Sequence, residues 1–365
     1  MNKLTRRQFL KLIATGSGVL VLNPLLSGCS TESLTPTSSP TPGATNTLES
    51  PAAPPTTTEL PASTTSPTQM GVCTVSENNS CETPTVQSSP TEPAQPAIAN
   101  PDLVVARQGE PEDLVTRAMA ALGGMSKFVS AGAKVIIKPN ICTDYYPYEY
   151  AATTNPWVVA ALVKLCLGAG AKQVQVMDTG FGGSPKKAYT MSGIQEQVEA
   201  AGGEMVLMPD FKYSMTDIPQ GKDIKKWPVF EDVLTADVVI NVPIAKTHGL
   251  SRLTLGMKNL MGLVQNRGSL HANLGQRLAD LTSLIRPTLT VVDAVRILTA
   301  NGPTGGNLDD VKKLDTIIAS TDIVAADAYA TTLFSMQPSD ISYIRAGAEM
   351  GLGQMDLTSL VIAEA

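Results

Sequence analysis

From residue 101 onward, short apolar runs alternate with stretches in which apolar residues recur every three or four positions. That alternation predicts strands and helices in turn. Val135-Ile136-Ile137 within Lys134–Lys138 reads as a buried strand, and further strands are expected at Lys172–Asp178, Glu204–Met208, Asp237–Val242, Thr288–Asp293, Leu314–Ala319 and Thr358–Ala363. Helical periodicity covers Glu110–Leu122, Pro156–Leu167, Pro185–Ala201, Leu270–Ile285, Ile323–Phe334 and Ser339–Met350. Pro156 falls in the first turn of its helix, where a missing N–H is harmless, and Ser184 stands where a cap is expected for the helix that follows. The succession predicts an α/β fold, a Rossmann-like three-layer domain with a mostly parallel sheet.

The first hundred residues carry a different pattern. Thr5-Arg6-Arg7-Gln8-Phe9-Leu10-Lys11 leads into a moderately apolar stretch from Leu12 to Leu26, which ends in Leu26-Ser27-Gly28-Cys29. Charged, apolar and small segments in that order make a secretion signal. The paired arginines resemble the twin-arginine (Tat) export motif, and Leu-Ser-Gly-Cys resembles the lipobox at which a signal peptidase cuts before a diacylated cysteine. The apolar stretch, about 15 residues interrupted by Gly16, Gly18, Asn23 and Pro24, falls short of the roughly 20 needed to span a bilayer. Residues 1–28 are therefore expected to be a Tat lipoprotein signal peptide, with lipidation at Cys29. The expected partners are the Tat export machinery and, through the lipid anchor, a membrane. The expected location is the extracytoplasmic face of the bacterial cell membrane.

Ser, Thr and Pro supply 38 of the 70 residues from 31 to 100. So few apolar side chains cannot offset the entropy of ordering, and residues 29–100 are expected to form a disordered linker before an α/β domain at 101–365. A flexible coil of that length has an r.m.s. span of roughly 45 Å. Cys73 and Cys81 lie in it, either as free thiols or as a small disulfide loop. Cys142 and Cys166 sit in apolar contexts that suit small buried hydrophobes.

Charge is distributed unevenly. Lys3, Arg6, Arg7 and Lys11 are the charges of the first 30 residues, residues 31–100 carry six Glu and no Lys or Arg, and the remainder holds 23 basic and 27 acidic residues. A domain of net −4 excludes the strongly basic profile of a nucleic-acid binder. Within it, residues 238–279 contain no Asp or Glu but carry Lys246, Arg252, Lys258, Arg267 and Arg277 and both histidines of the chain, His248 and His271. Cationic side chains beside Gly249, Gly256, Gly262 and Gly268, which allow close backbone approach, suit an anion.

In an open parallel sheet, ligands bind outside the carboxyl ends of the strands. Lys138 and Asn140 follow the first such strand, Asp178 the second, Lys246 and His248 the Asp237–Val242 strand, and Asp293 ends another. Their expected meeting on one rim makes an anion pocket. His248 and His271 are candidates for proton transfer because an unperturbed imidazole titrates near neutrality. Asp178 and Asp293 are candidates to orient them or to hold a hard divalent cation. No C-x-x-C, G-x-S-x-G or G-x-x-x-x-G-K-[ST] occurs, so neither an iron–sulfur cluster held by this chain alone, nor a serine nucleophile elbow, nor a P-loop is expected.

Val135 to Asn140 (V-I-I-K-P-N), Thr153 to Pro156 (T-T-N-P), Val242 to His248 (V-P-I-A-K-T-H), Gly256 to Gly262 (G-M-K-N-L-M-G), His271 and the strand end at Asp293 together resemble the DUF362 family, from about Lys134 to the C-terminus. The resemblance implies motif positions at Lys138, Asn140, Lys246, His248, Lys258, Asn259 and His271. It assigns no activity. Some members carry ferredoxin-type Cys clusters, which this chain lacks. The order of segments is also faintly similar to the amino-terminal domain of nickel-pincer lactate racemases.

The resulting expectation is an enzyme acting on or with an anionic ligand or cofactor. His248, His271 and Lys246 would be catalytic, and Lys138, Asn140, Thr154, Asn155, Lys258, Asn259, Asp178 and Asp293 would bind the ligand. A non-catalytic lipoprotein that captures an anionic solute or cofactor, and a redox-associated protein, stand as alternatives.

Overall fold

The computed structural model describes residues 100–365. The signal segment, Cys29, Cys73, Cys81 and the linker as far as residue 99 lie outside the described residues. The strands are β1 (Leu103–Arg107), β2 (Lys134–Pro139), β3 (Gln173–Val176), β4 (Glu204–Met205), β5 (Tyr213–Asp217), β6 (Lys226–Phe230), β7 (Val238–Val242), β8 (Ile244–His248), β9 (Arg252–Thr254), β10 (Leu289–Leu298), β11 (Val311–Ser320) and β12 (Ile362–Glu364). The helices are α1 (Pro111–Ala121), α2 (Pro156–Gly168), α3 (Pro185–Met191), α4 (Ile194–Ala200), α5 (Glu231–Thr235), α6 (Gly256–Asn259), α7 (Arg267–Leu270), α8 (Leu274–Ile285), α9 (Ile323–Thr331) and α10 (Ser342–Glu349).

The main sheet runs in the order β12-β1-β11-β10-β7-β2-β3-β4, and β8 joins β10 and β9 off that path. β2 pairs in parallel with both β3 and β7, β10 pairs in parallel with β7 and β8, and β11 alone of the eight runs against its neighbours β1 and β10. The fold is thus α/β with a mostly parallel sheet.

Alternation along the strands sends side chains to two cores. Val104, Val135, Ile137, Val174, Ile240 and Val291 pack with the apolar sides of α1, α2 and α4. Val105, Ile136, Val239, Val292 and Ile318 pack with those of α8, α9 and α10. The result is three layers with helices on both faces.

Local chemistry explains where elements begin and stop. α2 starts at Pro156 because Asn155 accepts a hydrogen bond from Trp157 N through its side chain, satisfying one of the first-turn donors. The helix expected over Pro185–Ala201 is instead two, α3 and α4. Gly193 adopts φ +73° between them, and Ser192 turns its hydroxyl to Tyr189 O and accepts from Ile194 N. Ser184 occupies the cap position of α3 but makes no side-chain capping bond. The strand expected over Thr358–Ala363 begins only at Ile362, after a turn of 3-10 helix at Leu357–Ser359. β1, the β5–β6 hairpin, β8 and β9 were not expected.

Two features of this topology place the rim. After β2 the chain leaves toward β3 and β4, whereas β7 and β10 add on the other side of β2, so the strand order reverses between β2 and β7. Such a reversal opens a crevice at the carboxyl ends of the strands. Pro243, which has no N–H to donate, separates β7 from β8, while its carbonyl accepts from Asp293 N of β10 at 2.8 Å. β10 follows β7 over its first residues and β8 beyond Asp293.

One buried carboxylate pins a long connection on the helical face. Asp280 on α8, with no exposed surface, accepts from Lys222 N, Asp223 N and Ile224 N at 2.8–2.9 Å and from Gln276 Nε2. Asp280→Ala should leave the buried Ile224 amide and the two part-buried amides of Lys222 and Asp223 without their acceptor and destabilise the fold by about 1–3 kcal/mol in urea unfolding.

Candidate functional site

At the switch between β2 and β7 the last residue positions of the strands carry polar side chains inward. Lys138, 1% exposed, forms an ion pair with Asp178 at 2.7 Å. Its ammonium also donates to Pro139 O at 2.8 Å and Asn259 Oδ1 at 2.9 Å. Asp178 accepts from Ile141 N at 2.6 Å with its other oxygen. Burial pulls the Lys138 ammonium below its ordinary value and pushes the Asp178 carboxyl up, while their mutual attraction opposes both shifts.

Asn259 is the hub of the polar network. Its amide nitrogen donates to Asn241 Oδ1 at 2.9 Å and Lys138 O at 3.2 Å, and its oxygen accepts from both Lys138 and Asn140. Asn140 Oδ1 accepts in turn from Lys246 Nζ at 2.9 Å, and Lys246 also donates to Ala152 O. Lys246 is 1% exposed, and burial lowers its pKa. Thr154 completes the scaffold by accepting from Asn140 N and donating to Val242 O, each at 2.8 Å. It ties the loop after β2 to the end of β7.

The turn that carries Lys258 and Asn259 is held from behind. Asp327 on α9, fully buried, accepts from Gly256 N at 2.6 Å and Met257 N at 2.9 Å. Burial nevertheless pushes its carboxyl up to about 7. Gly262, four residues beyond Lys258, lies so close to the ion pair that a Cβ would collide with Asp178 Oδ1 and Lys138 Nζ. Only glycine fits there.

These elements enclose a cavity of about 670 Å³ lined by Lys138, Asn140, Asp178, Lys246, His248, Lys258, Asn259, Arg267 and His271, with apolar and backbone surface between them. Lys258 is 8% exposed, and among the described residues its Nζ makes one hydrogen bond, to the Met261 thioether at 3.3 Å. Burial, followed by repulsion from Lys246, drops its pKa to about 8. Arg267 is oriented by Thr179 O and Gly180 O at 2.9 and 2.8 Å. Four cations therefore share this cavity with one carboxylate, already paired.

His248 differs from expectation. His248 Nδ1 accepts from Leu250 N at 3.0 Å and Ser251 N at 3.3 Å, which assigns the ring proton to Nε2. Burial, then the Lys258 and Lys246 charges, drops its pKa to about 3. His248 is thus a neutral donor at neutral pH and not a group that titrates there. His271 is exposed, with Nδ1 3.2 Å from Gly268 O.

Three expected ligand-binding residues do not line the cavity. Thr154 is the brace described above. Asn155 caps α2. Asp293 turns its carboxylate to Asn155 N at 2.7 Å and Val295 N at 3.0 Å, and burial pushes it up to about 6. It does not join Asp178 in a metal site, and among the described residues no group of three or more His, Cys, Asp or Glu side chains is arranged to hold a metal ion.

Arg267, Cys142, Met261 and Asp327 were missed as parts of the site. Arg267 lies in the acid-free stretch already noted. Asp327, the single acid of an otherwise apolar α9 segment, carried a usable signal, because a carboxylate among buried alanines needs donors. Cys142 is buried as expected and also lines the cavity; no local pattern reveals the second property.

Residues 135–332 match the family model described as domain of unknown function DUF362. The chain belongs to the DUF362 family. Most of the site just described lies within the matched span. A thylakoid-associated protein of Synechocystis sp. is 30% identical over 240 residues, 63% of this DUF362 chain and 72% of that protein. Among solved structures, a structural-genomics protein from Thermotoga maritima aligns with a TM-score of 0.40 and 12% identity, covering 62% of this chain and 60% of its own. The lactate racemase apoprotein from Thermoanaerobacterium thermosaccharolyticum aligns with a TM-score of 0.37 and 10% identity over 58% of this chain and 53% of its own. The DUF362 chain spans less than two thirds of either structure.

Burial of Lys258 costs the fold stability. Its folded pKa of about 8 lies below the ordinary 10.5, so the unfolded chain binds the proton more tightly and wild-type stability rises with pH between those values. Lys258→Met should stabilise the unliganded protein at pH 7 by on the order of 1–3 kcal/mol and abolish that rise, as measured by urea unfolding across pH 7–10.

Proposed function

We propose that this DUF362 protein binds an anionic small ligand or cofactor in the cavity between β2 and β7 and acts on it as an enzyme. The observation that carries the reading is the charge balance of the lining. Lys138 is neutralised by Asp178, whereas Lys246, Lys258 and Arg267 meet only neutral acceptors in the protein. A phosphate or carboxylate would supply the missing charge through charge-assisted hydrogen bonds. His248 Nε2–H adds a neutral donor.

Lys258 takes the proton-transfer role in this reading. A group titrating at about 8 can both give and take a proton near neutrality. Lys246 and Arg267 position the anion, Lys138 stays paired with Asp178 beneath them, and His271 stands at the exposed edge. One observation favours the alternative of non-catalytic capture: His248, the imidazole of the cavity, is too weakly basic at a pKa of about 3 to take a proton near neutrality, and its Nδ1 lone pair is already engaged.

Export and lipid anchoring form part of the proposal. They are supported by Arg6-Arg7 and by Leu26-Ser27-Gly28-Cys29, and the thylakoid association of the Synechocystis relative accords with a protein held at a membrane. Residues 1–28 would be removed, residues 29–100 would tether the domain, and residues 101–365 would face away from the cytoplasm. Cys29→Ser should move the protein from the membrane fraction to the soluble fraction in its native host, and unchanged sedimentation would overturn the anchor.

For the cavity, calorimetric titration with phosphate, sulfate and malonate at constant ionic strength is the direct test. Affinity should hold below pH 8 and fall up to tenfold per unit above it, as Lys258 loses its proton. Lys258→Met should weaken binding by about ten- to a hundredfold. Equal binding by the variant, or no pH dependence through 8, would refute the assignment.

A further inference from the structure

Cations account for the floor of the cavity but not for its walls. Phe181 and Leu250, 67% and 73% exposed, line it together with Ile141, Met261 and Pro303. The two large side chains come from loops that leave the floor directly. Phe181 stands three residues beyond Asp178, with its N–H donating to Cys142 O at 2.7 Å, and Leu250 N donates to His248 Nδ1. One part of the cavity is therefore built for charge and the adjoining part for hydrocarbon. A lone exposed apolar side chain is ordinary, but two on one cavity beside clustered cations form a continuous amphipathic surface.

Size points the same way. A cavity of about 670 Å³ is in the range that holds a drug-sized molecule, far more than one phosphate or carboxylate group occupies. A bare inorganic anion would leave the Phe181 and Leu250 surface in water, so that wall would contribute nothing to binding.

We infer that the ligand is a monomeric amphiphile, with an anionic head on Lys246, Lys258 and Arg267 and an apolar body against Phe181, Leu250 and Met261. The inference rests on the anion-binding reading above and adds the chemical class of the rest of the ligand. Carboxylate and phosphate heads share the chemistry that the floor recognises, and hexyl phosphate beside hexanoate separates them.

The test is calorimetric titration of the full-length chain carrying Cys29→Ser, which needs no detergent, with acetate, butyrate, hexanoate, octanoate, hexyl phosphate and 1-octanol below any micelle concentration. Affinity should rise about two- to fourfold per methylene buried along the carboxylate series, and 1-octanol should bind far more weakly than octanoate. The double variant Phe181→Ser with Leu250→Ser exchanges two exposed side chains, so folding is preserved, and should bring octanoate down to the level of acetate. A flat series with Lys258-dependent acetate or phosphate binding would overturn the amphiphile and leave the anion site standing. Equal binding of octanol and octanoate, unchanged in Lys258→Met, would remove the anionic head and both readings with it. Absence of binding by every probe would likewise overturn both.

Discussion

Lys138 and Asp178 sit at the ends of adjacent parallel strands and have left water together. Two charges so deeply buried are tolerated only if each remaining donor and acceptor is matched. That requirement propagates outward. Asn259 must reach Lys138, so the α6 turn must dock over β2, and Asp327 must hold the start of that turn from the adjacent helix α9. Gly262 must pass the pair without a side chain. Segments separated by more than a hundred residues are thereby locked around one ion pair.

The same arrangement creates the surplus charge of the cavity. Once Asp178 is committed to Lys138, no carboxylate remains for Lys246, Lys258 or Arg267. The protein matches Lys246 with an asparagine oxygen and a backbone carbonyl, and Arg267 with two carbonyls. Lys258 receives a thioether, a weak acceptor. Clustering like charges in a low-dielectric space opposes folding, and sites that act on ligands commonly retain such local costs. Burial first, and the neighbouring cations second, lower the pKa values of Lys258 and His248.

Polar residues at strand ends divide into two kinds that look alike along the chain. Lys138, Asp178 and Lys246 face the cavity, whereas Asp293 and Thr154 spend their hydrogen bonds on backbone groups behind it. Asp327 belongs with the second kind although it stands in mid-helix. The braces set the distances at which the cavity groups act, so their burial reflects positioning, not contact with ligand.

What the amino-acid order determined alone is the succession of the longer helices with β2, β3, β4, β7, β10, β11 and β12, the mostly parallel three-layer class, and the strand ends and acid-free stretch from which the cavity is made; β1, the β5–β6 hairpin, β8 and β9 were not among them. Those properties are local: apolar periodicity records which face of an element is buried, and charge along a segment can be counted without knowing its neighbours. The antiparallel course of β11, the step from β7 to β8 at Pro243, the break at Gly193 and the inward turn of Asp293 were decided by tertiary structure. So were the neutrality of His248, the near-neutral titration of Lys258 and the place of Cys142 in the cavity wall. The physical reason is common to all of them, because strand pairing, desolvation and electrostatic coupling depend on groups brought together from distant parts of the chain.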